Sequence, residues 1–206
     1  MRVIAGFAKG RRLFPVPGKG TRPITDRVKE SLFDILGGDV EGACFLDLFA
    51  GTGSVGIEAL SRGAERAVFV DSTRRAIETV RRNLQVTGLA DRAEVVQGDA
   101  FRFLEREAGT AAYHYVYVAP PQYRDLWLRA LRALDTGDLI APDGLVIVQI
   151  HPKEYHAVPL QRLRLIEERR YGSTLLLFYG QAGADGSSPG DGERGSSTND
   201  PSPRIE

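Results

Sequence analysis

One stretch constrains this chain more than any other: Phe45-Leu-Asp-Leu-Phe-Ala-Gly-Thr-Gly-Ser-Val-Gly-Ile57. An apolar run ends in an aspartate, glycines follow at 51, 53 and 56, and an apolar-periodic segment then begins. That order predicts a buried strand, a tight turn and a helix N-terminus. The glycines allow a ligand to approach the backbone closely, and the helix start offers free N–H groups. Fifteen residues after Gly56, Asp71 closes a second apolar run, Ala67-Val-Phe-Val70. An acid at the end of a second strand takes the ribose hydroxyls of an adenine nucleoside in folds of this type.

Read literally, Gly51 to Gly56 is a GxGxxG fingerprint for a dinucleotide, a weak signal when alone. Three features argue against a nicotinamide. Asp47 lies inside the end of the first strand, where a carboxylate beside a pyrophosphate is repelled. Val95-Val-Gln-Gly-Asp-Ala100 ends a third strand in an acid suited to an adenine amino group, and Tyr115-Val-Tyr-Val-Ala-Pro-Pro121 ends a fourth in Pro-Pro. S-adenosylmethionine (SAM) carries an amino group, a ribose and an adenine, and no phosphate. The set Asp47, Asp71 and Asp99 matches that inventory. Each acid also has a plainer reading. Asp47 fits a cap or an arginine pair, and Asp71 and Asp99 fit N-caps of the helices that follow them.

From residue 43 the pattern alternates β and α. Strands are expected near 44–49, 66–71, 93–98, 114–118 and 144–150, and helices near 54–62, 73–87, 100–107 and 123–135. Stretches at 160–168 and 174–179 predict a terminal antiparallel hairpin. The fold class is therefore α/β: three layers, Rossmann-like, with a mostly parallel seven-stranded sheet and ligands at the carboxyl ends of the strands. Ahead of it, residues 1–20 predict a basic β-hairpin in which Val3-Ile4 and Leu13-Phe14 flank the turn. A leading helix is expected within 21–38, capped by Thr25 and stopped at Gly37-Gly38. Residues 1–180 form one methyltransferase-type domain in this reading. From Gln181 the chain is rich in Gly, Ser, Pro and Asp and too poor in apolar residues to pack, so 181–206 is expected to be a disordered tail.

Net charge is zero, so bulk charge does not point to nucleic acid; its distribution says more. Residues 1–31 hold eight Lys/Arg against Asp26 and Glu30, and the tail holds five acids against two arginines. A basic block at the start is compatible with phosphate contact, and a solvated surface explains it equally. Cys44 is the only cysteine, which excludes an intramolecular disulfide and a thiolate metal site. No signal-peptide pattern or membrane-length apolar run occurs, so a cytoplasmic protein is expected. His114 and His151 read as structural or exposed, with no metal partner in view.

Four segments resemble the bacterial 16S rRNA guanine-N2 methyltransferases, over nearly the whole of residues 2–179. They are Arg2-Val-Ile-Ala-Gly-Phe-Ala-Lys-Gly-Arg-Arg-Leu13, Arg22-Pro-Ile-Thr-Asp-Arg-Val-Lys-Glu-Ser-Leu-Phe33, the loop from Asp47 to Ala59, and Tyr171-Gly-Ser-Thr174. The first two are specific, because generic methyltransferases lack them. The resemblance implies SAM as cofactor, with Thr25, Phe49, Ser72 and Ala100 joining Asp47, Gly51, Gly53, Asp71 and Asp99 around it. It implies 16S rRNA, in the small ribosomal subunit or its assembly intermediate, as partner, met by Lys9, Arg11, Arg12, Arg22 and Arg27. No metal is implied, and a monomer is expected.

The chain departs from that family at one place. The family's Asp-Pro-Pro-Phe/Tyr is here Ala119-Pro120-Pro121-Gln122-Tyr123. The resemblance makes Ala119, Pro120, Pro121 and Tyr123 the catalytic segment, but Ala119 has no side-chain acceptor for a target amine. A proline carbonyl, Gln122, Asp26 or the base's own phosphate surroundings could substitute, and Tyr123 could stack on the base one position late. Three other readings stay open: methylation of another base or a protein, an RNA-binding or ribosome-assembly protein with weakened catalysis, and a nicotinamide oxidoreductase.

Overall fold

A computed structural model describes residues 1–18 and 24–182. Helix α1 (Asp26–Leu36) starts because Thr25 is extended and its Oγ1 accepts from Val28 N at 3.3 Å. It ends at Gly37, in the left-handed region at φ 60°. Val28, Leu32, Phe33 and Leu36 form its buried stripe. Then follow β1 (Cys44–Asp47), α2 (Ser54–Ser61), β2 (Arg66–Asp71), α3 (Arg74–Thr87), β3 (Ala93–Gln97), α4 (Ala100–Glu107), β4 (Tyr113–Val118), α5 (Leu126–Gly137), β5 (Ile140–Ile150), β6 (Leu163–Tyr171) and β7 (Thr174–Gln181).

The seven strands run β3-β2-β1-β4-β5-β7-β6. The first five are parallel, and β7 pairs antiparallel with both β5 and β6. Alternate residues feed two core layers, as the pleat requires: Phe45, Tyr115 and Tyr117 face α1, α2 and α3, while Leu46, Val116 and Val118 face α4 and α5. Strand order reverses between β1 and β4, so the carboxyl ends of these neighbours open the crevice in which a doubly wound sheet holds its ligands. The predicted α/β fold with its antiparallel end is thus observed.

Several boundaries differ, each for a local reason. Residues 1–18 make only a short, irregular hairpin: Arg2 and Arg12 form an isolated antiparallel bridge, flanked by Val3 N donating to Arg11 O at 2.9 Å and Leu13 N to Met1 O at 3.2 Å. The N–H groups of Ile4 and Ala5 go to the Glu58 carboxylate at 2.8 and 3.0 Å instead of to a facing strand. α5 begins at Leu126 and not at 123, because Tyr123 and Asp125 occupy the left-handed region at φ 61° and 49°. β5 starts at Ile140, with Pro142 to Gly144 absorbed in an irregularity between the pairs Tyr113–Ile140 and Tyr115–Leu145. β6 starts at Leu163, because the Asp135 carboxylate takes the N–H groups of Gln161, Arg162 and Leu163 at 2.7–2.8 Å just before pairing begins. Burial opposes ionisation of Asp135, yet these three donors hold its carboxyl below the usual range. Gln181 and Ala182 belong to the fold and not to a tail: Gln181 Nε2 donates to Ile140 O, and Ala182 N donates to Arg162 O. Residues 183–206, the rest of the predicted tail, lie outside the described residues.

Candidate functional site

The carboxyl ends of β1, β2 and β3 bring Asp47, Asp71 and Asp99 to one edge of the sheet. Asp47 is 2% exposed, and one of its oxygens accepts from Gly56 N in the first turn of α2 at 3.2 Å. No ion pair neutralises it among the described residues. Burial raises its carboxyl pKa to about 8, against the pull of that N–H donor, and the Asp71 charge pushes the same way as burial. A cation placed here would restore the charge.

The loop between Asp47 and α2 is tightly drawn. Ala50 N donates to Val70 O, Gly53 N to Ala50 O, and Asn83 Nδ2 to Thr52 O. Gly51 and Gly53 have φ of 54° and 73°. A side chain at 51 would have open space around it, so its glycine serves backbone geometry and access. Gly56 has a different duty, since a Cβ there would lie 2.4 Å from the Phe69 ring. The third glycine of the fingerprint therefore permits α2 to pack on β2.

Asp71 is half-buried and not the N-cap of α3; Thr73 holds that position. Asp71 instead accepts from Gly51 N at 3.0 Å, and from Thr73 N and Oγ1 at 2.8 and 2.9 Å. It ties the glycine loop to the next turn. Asp99 is exposed and does cap its helix, accepting from Phe101 N and Arg102 N, both at 3.0 Å. Ser72 is exposed, Ala100 is buried, and the Phe49 ring meets Phe101 edge-on at 6.3 Å. These residues join the three acids at one strand-end face. Thr25 lies at the start of α1, with its hydroxyl engaged as the cap.

The fourth strand end is built differently. Ala119 is half-buried, Pro120 is buried, and Pro121, Gln122 and Tyr123 are exposed, the tyrosine at 66%. Pro120 and Pro121 remove two N–H donors from this loop while keeping their carbonyls as acceptors. Tyr123 N donates to Glu154 Oε2 at 2.6 Å, and Glu154 Oε1 accepts from His151 N at 3.1 Å. The His151 ring lies 6.0 Å from the Tyr123 ring, and its Nδ1 accepts from Lys153 N. Sequence reading set His151 aside and passed over Glu154. The missed signal is His151-Pro-Lys-Glu154, a capping box with Pro at the first helical position, disguised by a histidine cap. His114 is structural, accepting from Cys44 N. Asp26 accepts from Arg2 N at 3.2 Å and lies 3.7 Å from the Arg2 guanidinium. Beneath the site, the buried Tyr117 hydroxyl donates to Gln149 at 2.6 Å; burial first and the Asp47 charge second push its pKa well up, keeping it a donor.

Lys9, Arg11, Arg12 and Arg27 are exposed and form no ion pair among the described residues. Arg22 lies outside the described residues. No helix among the described residues is long and apolar enough to cross a membrane, and no group of three or more His, Cys, Asp or Glu among them could hold a metal ion.

Comparison with known proteins matches residues 1–180 to the family described as "Conserved hypothetical protein 95". A Bacillus subtilis protein, provisionally named the rRNA methyltransferase YlbH, is 40% identical over 189 residues, covering 89% of this chain and 100% of that protein. The Haemophilus influenzae "Ribosomal RNA small subunit methyltransferase D" is 31% identical over 180 residues, covering 87% of this chain and 93% of that one. Among solved structures, yhhF from Escherichia coli, provisionally titled a methyltransferase, superposes with a TM-score of 0.76 at 34% identity, covering 88% of this chain and 97% of its own.

Proposed function

Because the chain belongs to the conserved hypothetical protein 95 family, we propose that it is a SAM-dependent rRNA methyltransferase that methylates N2 of a guanosine in the 16S rRNA of the small ribosomal subunit. The relative named ribosomal RNA small subunit methyltransferase D supports the rRNA substrate. The observation that carries the cofactor is Asp47: a buried carboxyl group with no cationic partner among the described residues, at the mouth of a glycine loop. It suits the cofactor's ammonium, and it occupies the helix N-terminus that a dinucleotide's phosphates would need. Asp71 retains lone pairs for ribose hydroxyls, and Asp99, while capping α4, for the adenine amine. When bound, the cofactor supplies a methyl group on a sulfonium, already a good electrophile.

The protein's own contribution is then alignment and hydrogen-bond acceptance, and the proton displaced from N2 by the incoming methyl leaves to solvent. The guanine N2 lone pair is delocalised into the ring, and an acceptor for one of its N–H groups localises it. With a methyl side chain at 119, the carbonyls of Ala119 and Pro120 are the acceptors of this reading, and the exposed Tyr123 ring supplies the stacking face. His151 is not the base in this account: its Nδ1 already accepts from Lys153 N, so the neutral ring carries its proton on Nε2.

The test is transfer of labelled methyl from SAM to small subunits isolated from a deletion strain, followed by nucleoside analysis. N2-methylguanosine is the expected product. Another methylated base would redirect the specificity. SAM binding without transfer to any particle would favour the binding-protein reading, which rests on Ala119 alone.

A further inference from the structure

Phe7 is 80% exposed, more than any other large hydrophobic side chain among the described residues. Its backbone is nevertheless among the most firmly held. Phe7 N donates to Ser61 O at 2.7 Å, Ala8 N to Ser61 Oγ at 2.9 Å, and Ser61 Oγ to Ala5 O at 2.6 Å. Ile4 N and Ala5 N are fixed by Glu58. Glu58 is fully buried against Lys29 at 3.3 Å, and Lys29 Nζ donates to Arg2 O at 2.7 Å. Gly6, at φ 76°, lets the turn press on the end of α2, since a Cβ there would lie 1.8 Å from Ser61 O. A ring left in water on so rigid a mount gains nothing for the fold, whereas a preorganised ring gains affinity for something that covers it.

The surroundings specify what covers it. Residues 1–18 contain no acid. Lys9, Arg11 and Arg12 stand exposed on the same turn, without ion pairs among the described residues. An aromatic face among unneutralised cations is the arrangement that holds an unstacked base and its flanking phosphates. We propose that Phe7 is a stacking platform for an unpaired nucleotide of the RNA substrate, with Lys9, Arg11 and Arg12 holding the neighbouring phosphates. The proposal rests on the chain acting on RNA and does not depend on which base is methylated.

Stacking and charge separate by salt dependence, measured on the full chain with a fluorescein-labelled single-stranded RNA. Phe7→Ala should weaken binding about 5- to 150-fold at every salt concentration, leaving the slope of log K against log salt unchanged. Changing Lys9, Arg11 and Arg12 together to Gln should reduce that slope by about 2, from about 0.7 per phosphate contact. Phe7→Trp should keep affinity, and its emission should be quenched on RNA binding, while wild type, with only the buried Trp127, shows no quench. SAM affinity should be unmoved in all three. Wild-type affinity in Phe7→Ala, or no RNA binding by wild type, would overturn the proposal. So would a Phe7→Ala defect confined to whole subunits with free rRNA unaffected, because the ring would then meet a ribosomal protein. Failure of methyl transfer with the Phe7 effect intact would remove the proposed activity and leave this surface standing.

Discussion

The two halves of the candidate site are held in opposite ways. On the side of β1, β2 and β3, each acid is bound to backbone N–H groups of the strand-end loops and helix starts: Asp47 to Gly56, Asp71 to Gly51 and Thr73, Asp99 to Phe101 and Arg102. On the side of β4, an exposed loop with two residues in the left-handed region is clamped by one carboxylate from 31 residues away, Glu154. A half held by several bonds to backbone N–H groups is preorganised and costs little to keep. A half clamped by one side chain can change shape to admit a base, at the expense of depending on that side chain.

The largest effect that would break this contrast is expected at Asp71. Asp71→Ala removes both the proposed ribose acceptor and the tie to Gly51, and should cost about 1.5–3 kcal/mol of SAM binding, a factor of about 10–150. Calorimetry showing wild-type affinity would dissolve the preorganised half as a cofactor site.

Asp47 gives a pH signature. Its folded pKa is raised to about 8 from 3.8, so without ligand the folded protein retains a proton there that the unfolded chain has lost. Between those values the unfolded state binds fewer protons, and this group's contribution to stability falls as pH rises. A cationic ligand needs the ionised form, so SAM affinity should rise between pH 6 and 8, by at most about tenfold per unit, with proton release. Asp47→Asn should flatten the profile; a steep profile in that variant would assign the titration elsewhere.

For the clamped half, Tyr123→Ala should cost about 1–3 kcal/mol in kcat/KM for the subunit, with SAM binding unchanged. Unaltered kinetics would keep the enzyme and discard this base pocket. The smallest effect is expected at Glu154, a positioning residue. Glu154→Gln keeps a neutral acceptor for Tyr123 N and should cost about 0.5–1.5 kcal/mol, mainly in KM. An equal loss in kcat alone would mean that Glu154 acts on the reacting atoms and not on the loop.

The amino-acid sequence by itself determined the parallel core, its helices, and the strand-end acids of the proposed cofactor half. Those features are local: a strand, the acid that ends it and the turn that follows are read within a few residues, and the period of apolar positions fixes which face is buried. Asp99 as cap and candidate contact was legible for that reason. Only the tertiary structure decided the rest. It gave the N–H groups of Ile4 and Ala5 to Glu58, so the predicted hairpin is cut short and mounted on α2. It gave Tyr123 N to Glu154, and it assigned the third glycine of the fingerprint to packing against Phe69. In each case a backbone group or a Cβ position is settled by a partner tens of residues away or on a neighbouring element, and neither propensity nor spacing encodes which partner the folded sheet will bring near.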